Sequence, residues 1–258
     1  MVAVATQEVV PPVLNSTDWH NASPKLSLAE SGRTTFRLAS TPTDRFAAFR
    51  LAYDKYVQQG MLGPNRYRLR VTDFHLLDTT AVFIAERDEQ VVGTATLIAD
   101  GELGLPLDMV HPEVTRTARS RGLRLGEAAG LAIRSPRRLP DLPIFVGLTR
   151  LMAQYARLQM IRQVVVACVP EHAHFYCRYL GFERIGPVRP YPSVCNTLGV
   201  ACRLDFAHID RCRPDCYDRY FGTLIPPSEL VNSPMSHLER EAFGRVLEHS
   251  WQRQRCAA

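Results

Sequence analysis

Two apolar, β-branched runs separated by a short polar break constrain the fold of this 258-residue chain more than any other feature. The runs are AVFIAE and VVGTATLI, and the four residues between them are RDEQ. Such runs are typical of a β-hairpin, and a four-residue turn lies within the usual range. The chain is therefore predicted to build a sheet around this antiparallel pair.

Helices and further strands are predicted around the hairpin. Before it, Thr41, Pro42 and Asp44 supply a cap, a first-turn proline and a capping-box acid, and aromatic residues then recur at helical spacing up to Gly60. After it, EAAGLAI, VVVACV and GVACRLDF are predicted strands, and LTRLMAQYAR and EHAHFYCRYL are predicted helices. This order predicts an α/β (α+β) sandwich with a mostly antiparallel central sheet.

Composition divides the chain into three parts. Residues 1–33 are rich in Pro, Ser, Thr and Asn and are predicted to be a disordered lead. Residues 34–210 carry the predicted sheet and its helices. The composition changes from Arg211 onward, so residues 211–258 are predicted to be a C-terminal appendage with one helix.

Several classes of protein are excluded. No apolar run reaches the roughly 18 to 20 residues of a membrane helix, and MVAVATQEVVPPV lacks the basic lead and apolar stretch of a secretory signal. The seven cysteines include Cys168 and Cys202 in apolar runs, which indicates buried thiols and a cytoplasmic protein. His208, Cys212 and Cys216 repeat at a spacing of four, but they lack a second ligand pair, and no metal is predicted.

Positive charge is concentrated in one window. The chain has a formal net charge of +5, whereas Thr115 to Arg138 alone contain seven arginines and one acid, a net +6. Clustered guanidinium groups suit phosphate or an acidic protein partner. Nucleic acid is a weaker alternative because the window lacks interleaved aromatic residues, and for each single arginine a solvated surface charge is the simpler interpretation.

Two kinds of acyltransferase resemble this chain. The order of elements and the segment HFYCRYLGFERIG resemble the GNAT acyltransferase fold. From about Phe49 to Asp205, the segments VFIAERDEQVVGTATLIAD, GLRLGEAAGLAI, LTRLMAQYAR and RPYPSVCN resemble bacterial N-acyl amino acid synthases that use acyl carrier protein. The resemblance implies transfer of a fatty acyl group from the carrier's phosphopantetheine to the amine of an amino acid or similar small molecule, without a metal or redox cofactor.

A more distant similarity connects the chain to acyl-homoserine lactone synthases. It lies in Asp73 and Asp78 of DFHLLDTTAVFIA and in the glutamate of GEAAGLAI. Those synthases carry an arginine where this chain has Thr96, and Ser-Arg where it has Ala129 and Gly130. Lactone formation is therefore not expected. Asp73 and Asp78 are candidates to orient the substrate amine, and Asp78 is equally suited to a turn at the start of a strand.

The donor is predicted from a missing motif. Acetyl-coenzyme A GNATs hold the pyrophosphate with a glycine-containing loop at a helix start, whereas the corresponding segment here, RSPRRLPDLPIF, has no glycine. A carrier protein needs no such loop but does need a basic docking face. The docking candidates are Arg119, Arg121, Arg124, Arg137 and Arg138.

The catalytic candidates are a carboxylate and a phenol. Glu127 opens the small apolar run AAGLAI, where burial raises a carboxyl pKa toward that of a general base; its alternative role is an ion pair with a buried arginine. Tyr176 is the candidate acid for the leaving thiol, with Tyr179 as its competitor and core packing as the alternative. Ala129 and Gly130 begin the stretch 129–132, from which a backbone amide is expected to bind the oxyanion.

Two other functions remain open at this stage. One is a catalytically idle GNAT-like domain that binds a carrier protein or another acidic protein. The other is an N-acetyltransferase that uses an acyl-coenzyme A.

Overall fold

The computed structural model describes residues 34–134 and 141–256, with side chains up to Leu247. The predicted disordered lead at 1–33 lies outside these residues. So do Arg137 and Arg138, two of the predicted docking arginines.

Eight strands form the sheet within the described part of the chain. They are β1 (Thr35–Leu38), β2 (Thr80–Arg87), β3 (Gln90–Ala99), β4 (Leu125–Ile133), β5 (Gln163–Cys168), β6 (Glu183–Arg184), β7 (Arg189–Tyr191) and β8 (Thr197–Asp205). Their order is β1-β2-β3-β4-β5-β8-β6, and β7 also pairs with β8. Only β4 and β5 pair in parallel, so the predicted mostly antiparallel sheet is confirmed.

Seven α-helices accompany the sheet in the described residues. They are α1 (Pro42–Gln58), α2 (Pro112–Ser120), α3 (Leu142–Leu158), α4 (Pro170–Tyr179), α5 (Phe206–Cys212), α6 (Tyr217–Phe221) and α7 (His237–Cys256). None of these helices is both long and apolar enough to cross a membrane.

The predicted start of α1 is confirmed in atomic detail. The Thr41 hydroxyl accepts a hydrogen bond from the Asp44 N–H at 3.1 Å, and the Asp44 carboxylate accepts one from the Thr41 N–H at 3.1 Å. These reciprocal bonds satisfy two donors that a helix start otherwise leaves free. Gly60 follows the helix with a φ of +69°, a conformation that glycine adopts without strain.

Three helices were not predicted from the sequence: α5, which follows the predicted strand GVACRLDF, and α2 and α6. Helix α2 lies inside the basic window, where the polar sequence PEVTRTARS has no apolar run to indicate a helix. Helix α6 has only five residues, and it adds a second helix to the segment 211–258. Both depend on packing against the sheet and its helices for their stability, because short isolated helices are marginal in water.

The sheet has a distinct core on each face. Phe83 and Leu97 point to the face covered by α3, together with apolar residues of α4, α5 and α6. Val82 and Ile84 alternate with Phe83 and point to the opposite face, where they meet α1 and α7. These are called the α3 face and the α1 face below. The C-terminal segment 211–258 therefore contributes α6 to the α3 face and α7 to the α1 face.

Candidate active site

Strands β4 and β5 pair over only three residues before they separate. Glu127 and Val165 form the last pair of this ladder, although β4 continues to Ile133 and β5 to Cys168. Beyond that point β4 keeps β3 as its partner and β5 keeps β8. The result is a wedge in the middle of the sheet, between the strands EAAGLAI and VVVACV.

A cavity of about 610 Å³ occupies this wedge and extends to both faces of the sheet. Its volume lies within the roughly 300 to 1,000 Å³ of small-molecule sites. On the α1 face its wall includes the charged residues Arg70, Asp73 and Glu127. On the α3 face the wall is apolar and includes Phe145 and Met152. One end of the cavity thus suits a polar group and the other a hydrocarbon chain.

Glu127 lies at the point where the two strands separate, with 3% of its surface exposed. Its Oε2 accepts a hydrogen bond from the Leu107 N–H at 2.7 Å. Burial raises the pKa of Glu127 to about 8. The hydrogen bond from Leu107 lowers this pKa, and the negative charge of Asp108 raises it. The charge that acts on Glu127 from the described residues is therefore an acid and not an arginine, which favours a general base over a buried ion pair.

Arg119 holds the turn that supplies this hydrogen bond. Its guanidinium donates to Asp100 at 2.6 and 2.7 Å and to Asp108 at 2.9 and 2.7 Å. Asp108 belongs to the short 3-10 helix Pro106–Met109, which also contains Leu107. The structure places Arg119, a predicted docking residue, in an internal ion-pair network that positions the Leu107 N–H.

Ala129 and Gly130 border the cavity at a β-bulge. Thr96 pairs with Ala129 and Thr94 with Ala132, so β4 has one residue more than β3 over this stretch. Gly130 has a φ of +61°, which a residue with a side chain rarely adopts. A bulge removes a residue from the ladder. The oxyanion donor predicted in 129–132 thus falls on an irregular part of β4 that borders the cavity.

Tyr176 borders the cavity on the α3 face. The Phe145 ring stacks on it with centroids 6.3 Å apart, and the Phe182 ring lies at 5.6 Å. Burial raises the pKa of Tyr176 well above its usual range, so its hydroxyl stays protonated. The competing candidate, Tyr179, packs against Phe175 at 5.4 Å and does not border the cavity.

The two candidate aspartates lie in different environments. Asp73 borders the cavity from the 3-10 helix Asp73–Leu76. Asp78 lies outside the cavity, and its carboxylate accepts a hydrogen bond from Arg240 of α7. Of the two, only Asp73 is placed to meet a substrate amine.

The basic window reaches both ends of β4. Arg121 and Arg124 are exposed residues that precede β4, at the closed end of the wedge. Arg134 is exposed and follows β4, at the open end. Arg137 and Arg138 come after it in the sequence and lie outside the described residues. The structure therefore places two predicted docking arginines, Arg121 and Arg124, away from the open end of the wedge.

Arg70 is a cavity residue that was not predicted from the sequence. Its guanidinium lies over the Tyr56 ring, 4.0 Å from the centroid. Its Nη1 is 3.9 Å from the position that a Cβ on Gly130 would occupy. Among the described residues of the cavity wall it is the one arginine, and there is no lysine. The segment RYRLR gives no sequence signal, because nothing in it distinguishes Arg70 from its two neighbouring arginines.

The histidine and cysteines that repeat at a spacing of four do not converge. His208 and Cys212 are in contact, with a ring nitrogen 3.5 Å from the sulfur, while Cys216 is buried and borders the cavity. Within the described ranges, no group of three or more metal-ligating side chains is present.

Comparison with protein families decides the family of the chain. The family described as N-acyl amino acid synthase FeeM matches residues 47–205, well over half of the 258 residues. The chain belongs to the FeeM family of N-acyl amino acid synthases. It is an N-acyltransferase, as predicted. No curated protein is similar enough to the chain to count as a match.

Solved structures show the same fold. FeeM, an N-acyl amino acid synthase from uncultured soil microbes, has 24% identity and a TM-score of 0.63, over 72% of this chain and 98% of its own. The acyl-homoserine lactone synthase LasI has 15% identity and a TM-score of 0.54, over 74% and 95%. The CoA-dependent acyl-homoserine lactone synthase BjaI has 18% identity and a TM-score of 0.51, over 70% and 90%. The predicted GNAT-like fold is confirmed.

If Glu127 is the general base, replacing it with Gln should lower activity without lowering stability. Glu127→Gln removes the base and should lower kcat by about 10²-fold to 10⁴-fold. Because the pKa is raised from its usual 4.5 to about 8 in the folded protein, the wild type should lose stability as pH rises between these values. The variant lacks this loss, so its melting temperature should equal or exceed that of the wild type at pH 9. Activity and melting curves on one preparation check both effects, and a variant that melts early but turns over normally would contradict the assignment.

Proposed function

We propose that this protein transfers a fatty acyl group from an acyl carrier protein to the amino group of an amino acid. The observation that carries the proposal is the cavity across the sheet, with Glu127 where its polar and apolar ends meet. The acceptor occupies the α1 face and the acyl chain the α3 face. The thioester carbonyl then lies at the wedge, next to the bulge at Gly130.

The proposed reaction converts an ammonium group and a thioester into an amide, a thiol and a proton. Glu127 takes a proton from the ammonium group, directly or through water. The free amine attacks the thioester carbonyl, and a backbone N–H near Gly130 donates to the resulting oxyanion. The carbon–sulfur bond breaks as the Tyr176 hydroxyl donates a proton to the sulfur, and the second proton that the nitrogen loses returns to the Tyr176 oxygen. The proton on Glu127 is released to solvent, which restores both groups. The thioester is already activated, so the transfer needs no metal or redox cofactor.

Arg70 supports an amino acid, and not a simple amine, as the acceptor. It is a cation in the cavity wall, and no described carboxylate lies within salt-bridge distance of it. A guanidinium binds a carboxylate with two parallel hydrogen bonds. An α-amino acid carries its amino group one carbon away from its carboxylate. An acceptor bound to Arg70 therefore has its nitrogen beside Gly130, on the same strand as Glu127.

The start of α3 supports a carrier-protein donor. In acetyl-coenzyme A GNATs the helix start at this place binds the pyrophosphate. Here Asp141 is the cap of α3, and its carboxylate accepts a hydrogen bond from the Ile144 N–H at 3.4 Å. Its other oxygen is 3.4 Å from Arg87. A carboxylate already occupies this helix start, so a second anion there would be repelled.

The proposal places the reaction in the cytoplasm. The six cysteines whose side chains are described are free thiols, as expected in a reducing compartment. The partners are the carrier protein and the small amino acid substrate.

The donor preference is tested directly with matched thioesters. The protein is incubated with palmitoyl carrier protein or palmitoyl-coenzyme A and a mixture of amino acids, and N-acyl products are measured by mass spectrometry. We expect kcat/KM to be at least about 10-fold higher with the carrier protein, because only that donor avoids the charge of Asp141 and gains a docking surface.

The same experiment evaluates the two other functions. The fold of BjaI, a CoA-dependent enzyme, is compatible with coenzyme A, and equal efficiency with both donors would favour that alternative. Tight binding of the carrier without any N-acyl product would favour a catalytically idle domain.

Docking is expected at the open end of the wedge. Charge reversal of Arg134 to Glu should raise KM for the acyl carrier protein about 10-fold and leave kcat nearly unchanged, because an acidic partner loses its attraction. Reversal of Arg124 to Glu is the matched control, since it makes the same charge change at the closed end. Equal increases in KM for both variants would contradict this placement, as would a wild-type rate that is insensitive to salt.

Arg70 is expected to select the carboxylate of the acceptor. Arg70→Gln should lower kcat/KM for an amino acid by about 10-fold to 100-fold, the value of a charge-assisted hydrogen bond, and should not affect the corresponding amino acid amide. Arg66→Gln is the control, because Arg66 also lies over a tyrosine ring, at 4.6 Å from the Tyr67 centroid, but outside the cavity. If the variant keeps the preference for acid over amide, the carboxylate binds elsewhere.

A further inference from the structure

Part of the cavity wall comes from residues beyond the family match, which ends at residue 205. One of these residues is Leu247 of α7. The other five are one residue of α5, the residue that caps α6, and three residues of α6: Ile209, Cys216, Tyr217, Tyr220 and Phe221. The C-terminal segment therefore takes part in the site.

These five residues lie at the end of the cavity farthest from the acceptor. Val164 of β5 pairs with Gly126 of β4 on one side and with Leu204 of β8 on the other. Leu204 is therefore level with the closed end of the wedge, on the strand next to β5. Leu204 borders the cavity together with Ile209, and both belong to the core of the α3 face. Arg70 lies on the α1 face. The cavity thus passes from the wedge toward β8 and ends beneath α5 and α6.

The far wall presents hydrocarbon to the cavity. Its two phenol hydroxyls already have hydrogen-bond partners: Tyr220 bonds to the hydroxyl of Thr149, another cavity residue, at 2.8 Å, and Tyr217 donates to Asp210 at 3.0 Å. Phe221 is covered by the Arg157 guanidinium, 3.9 Å from the ring centroid. A wall whose polar atoms are already bonded suits the methyl end of an acyl chain.

The wall is also held in place. Gln154, a buried residue of α3, donates to the Tyr220 carbonyl at 2.6 Å and to the Thr223 carbonyl at 3.0 Å, and accepts from the Ile225 N–H at 2.7 Å. Arg150 adds a hydrogen bond to the Thr223 carbonyl at 2.7 Å. These bonds fasten α6 and the residues after it to α3, so the wall is rigid and does not adapt to each ligand.

We propose that α6 and its cap residue form the stop that selects the length of the acyl chain. The proposal rests on the proposed acyl transfer and adds the determinant of its donor specificity. Each methylene that the cavity accommodates strengthens binding by about fourfold. The first methylene that meets the rigid wall loses this gain and adds overpacking. The result is one preferred length with a sharp decrease beyond it.

Two substitutions move the stop in opposite directions. Cys216→Leu extends the wall into the cavity and should shift the preferred chain about two carbons shorter. Phe221→Leu shortens the side chain in the wall and so enlarges the cavity, which should make the preferred acyl chain about two carbons longer. Leu224→Ala is the control, because Leu224 lies in the same segment, is 76% exposed and does not border the cavity.

The experiment is an internal competition. Each protein receives an equimolar mixture of acyl carrier proteins from C8 to C18 with one amino acid, and the N-acyl products are separated by mass. Product ratios equal the ratios of kcat/KM, so a partly unfolded variant lowers all products equally and leaves the ratios unchanged. We expect a change of at least about 10-fold in the C16 to C12 ratio, in opposite directions for the two cavity variants, and no change in the control.

The outcomes separate this proposal from the proposed function. An unchanged distribution from both cavity variants, with products formed, would overturn the stop and leave the acyl transfer intact. If the wild type forms no product from any donor, the acyl transfer is wrong. Displacement of a fluorescent fatty acid by unlabelled C8 to C18 acids then gives the length preference without turnover. Identical preferences in all four proteins would overturn the stop in that case too.

Discussion

The early separation of β4 from β5 is the constraint on which the site depends. Backbone N–H and C=O groups inside a protein need partners, and the facing edges of these strands have none in each other beyond Glu127 and Val165. The wedge is thus both a space and a source of hydrogen-bonding groups for a ligand amide. Glu127 lies at the point of the wedge and Gly130 along one of its edges, while Arg70 and Tyr176 border the cavity on opposite faces of the sheet.

Of the two carboxyl groups in the described cavity wall, Asp73 and Glu127, only that of Glu127 is buried. A buried carboxylate with no cation beside it favours its neutral form, and the Leu107 N–H offsets only part of that preference. The ion pairs of Arg119 with Asp100 and Asp108 lie behind this turn and not on the carboxyl group. These ion pairs therefore hold the turn that donates to Glu127, while Glu127 itself has no cation beside it among the described residues.

The parts that sequence could predict are those that local patterns determine. The capping box at Thr41, the hairpin and the buried strand glutamate each have a signature within a few residues. Helix α2 and helix α6 have none, because their stability comes from contacts with distant elements. Arg70 resembles its neighbours until the chain is folded, and Arg121 and Arg124 share a charged window with Arg134 but lie at the other end of a strand. Periodicity identifies which residues form a strand, but not at which end of it a ligand enters.

The division of the cavity wall between two stretches of chain has an evolutionary consequence. Glu127, Arg70 and the bulge at Gly130 lie within residues 47–205, whereas α6 follows them. With the stop proposed above, a substitution in this short C-terminal helix alters the product while the proposed reacting groups stay unchanged. Products of different chain length are then reached by single substitutions that leave the proposed chemistry in place.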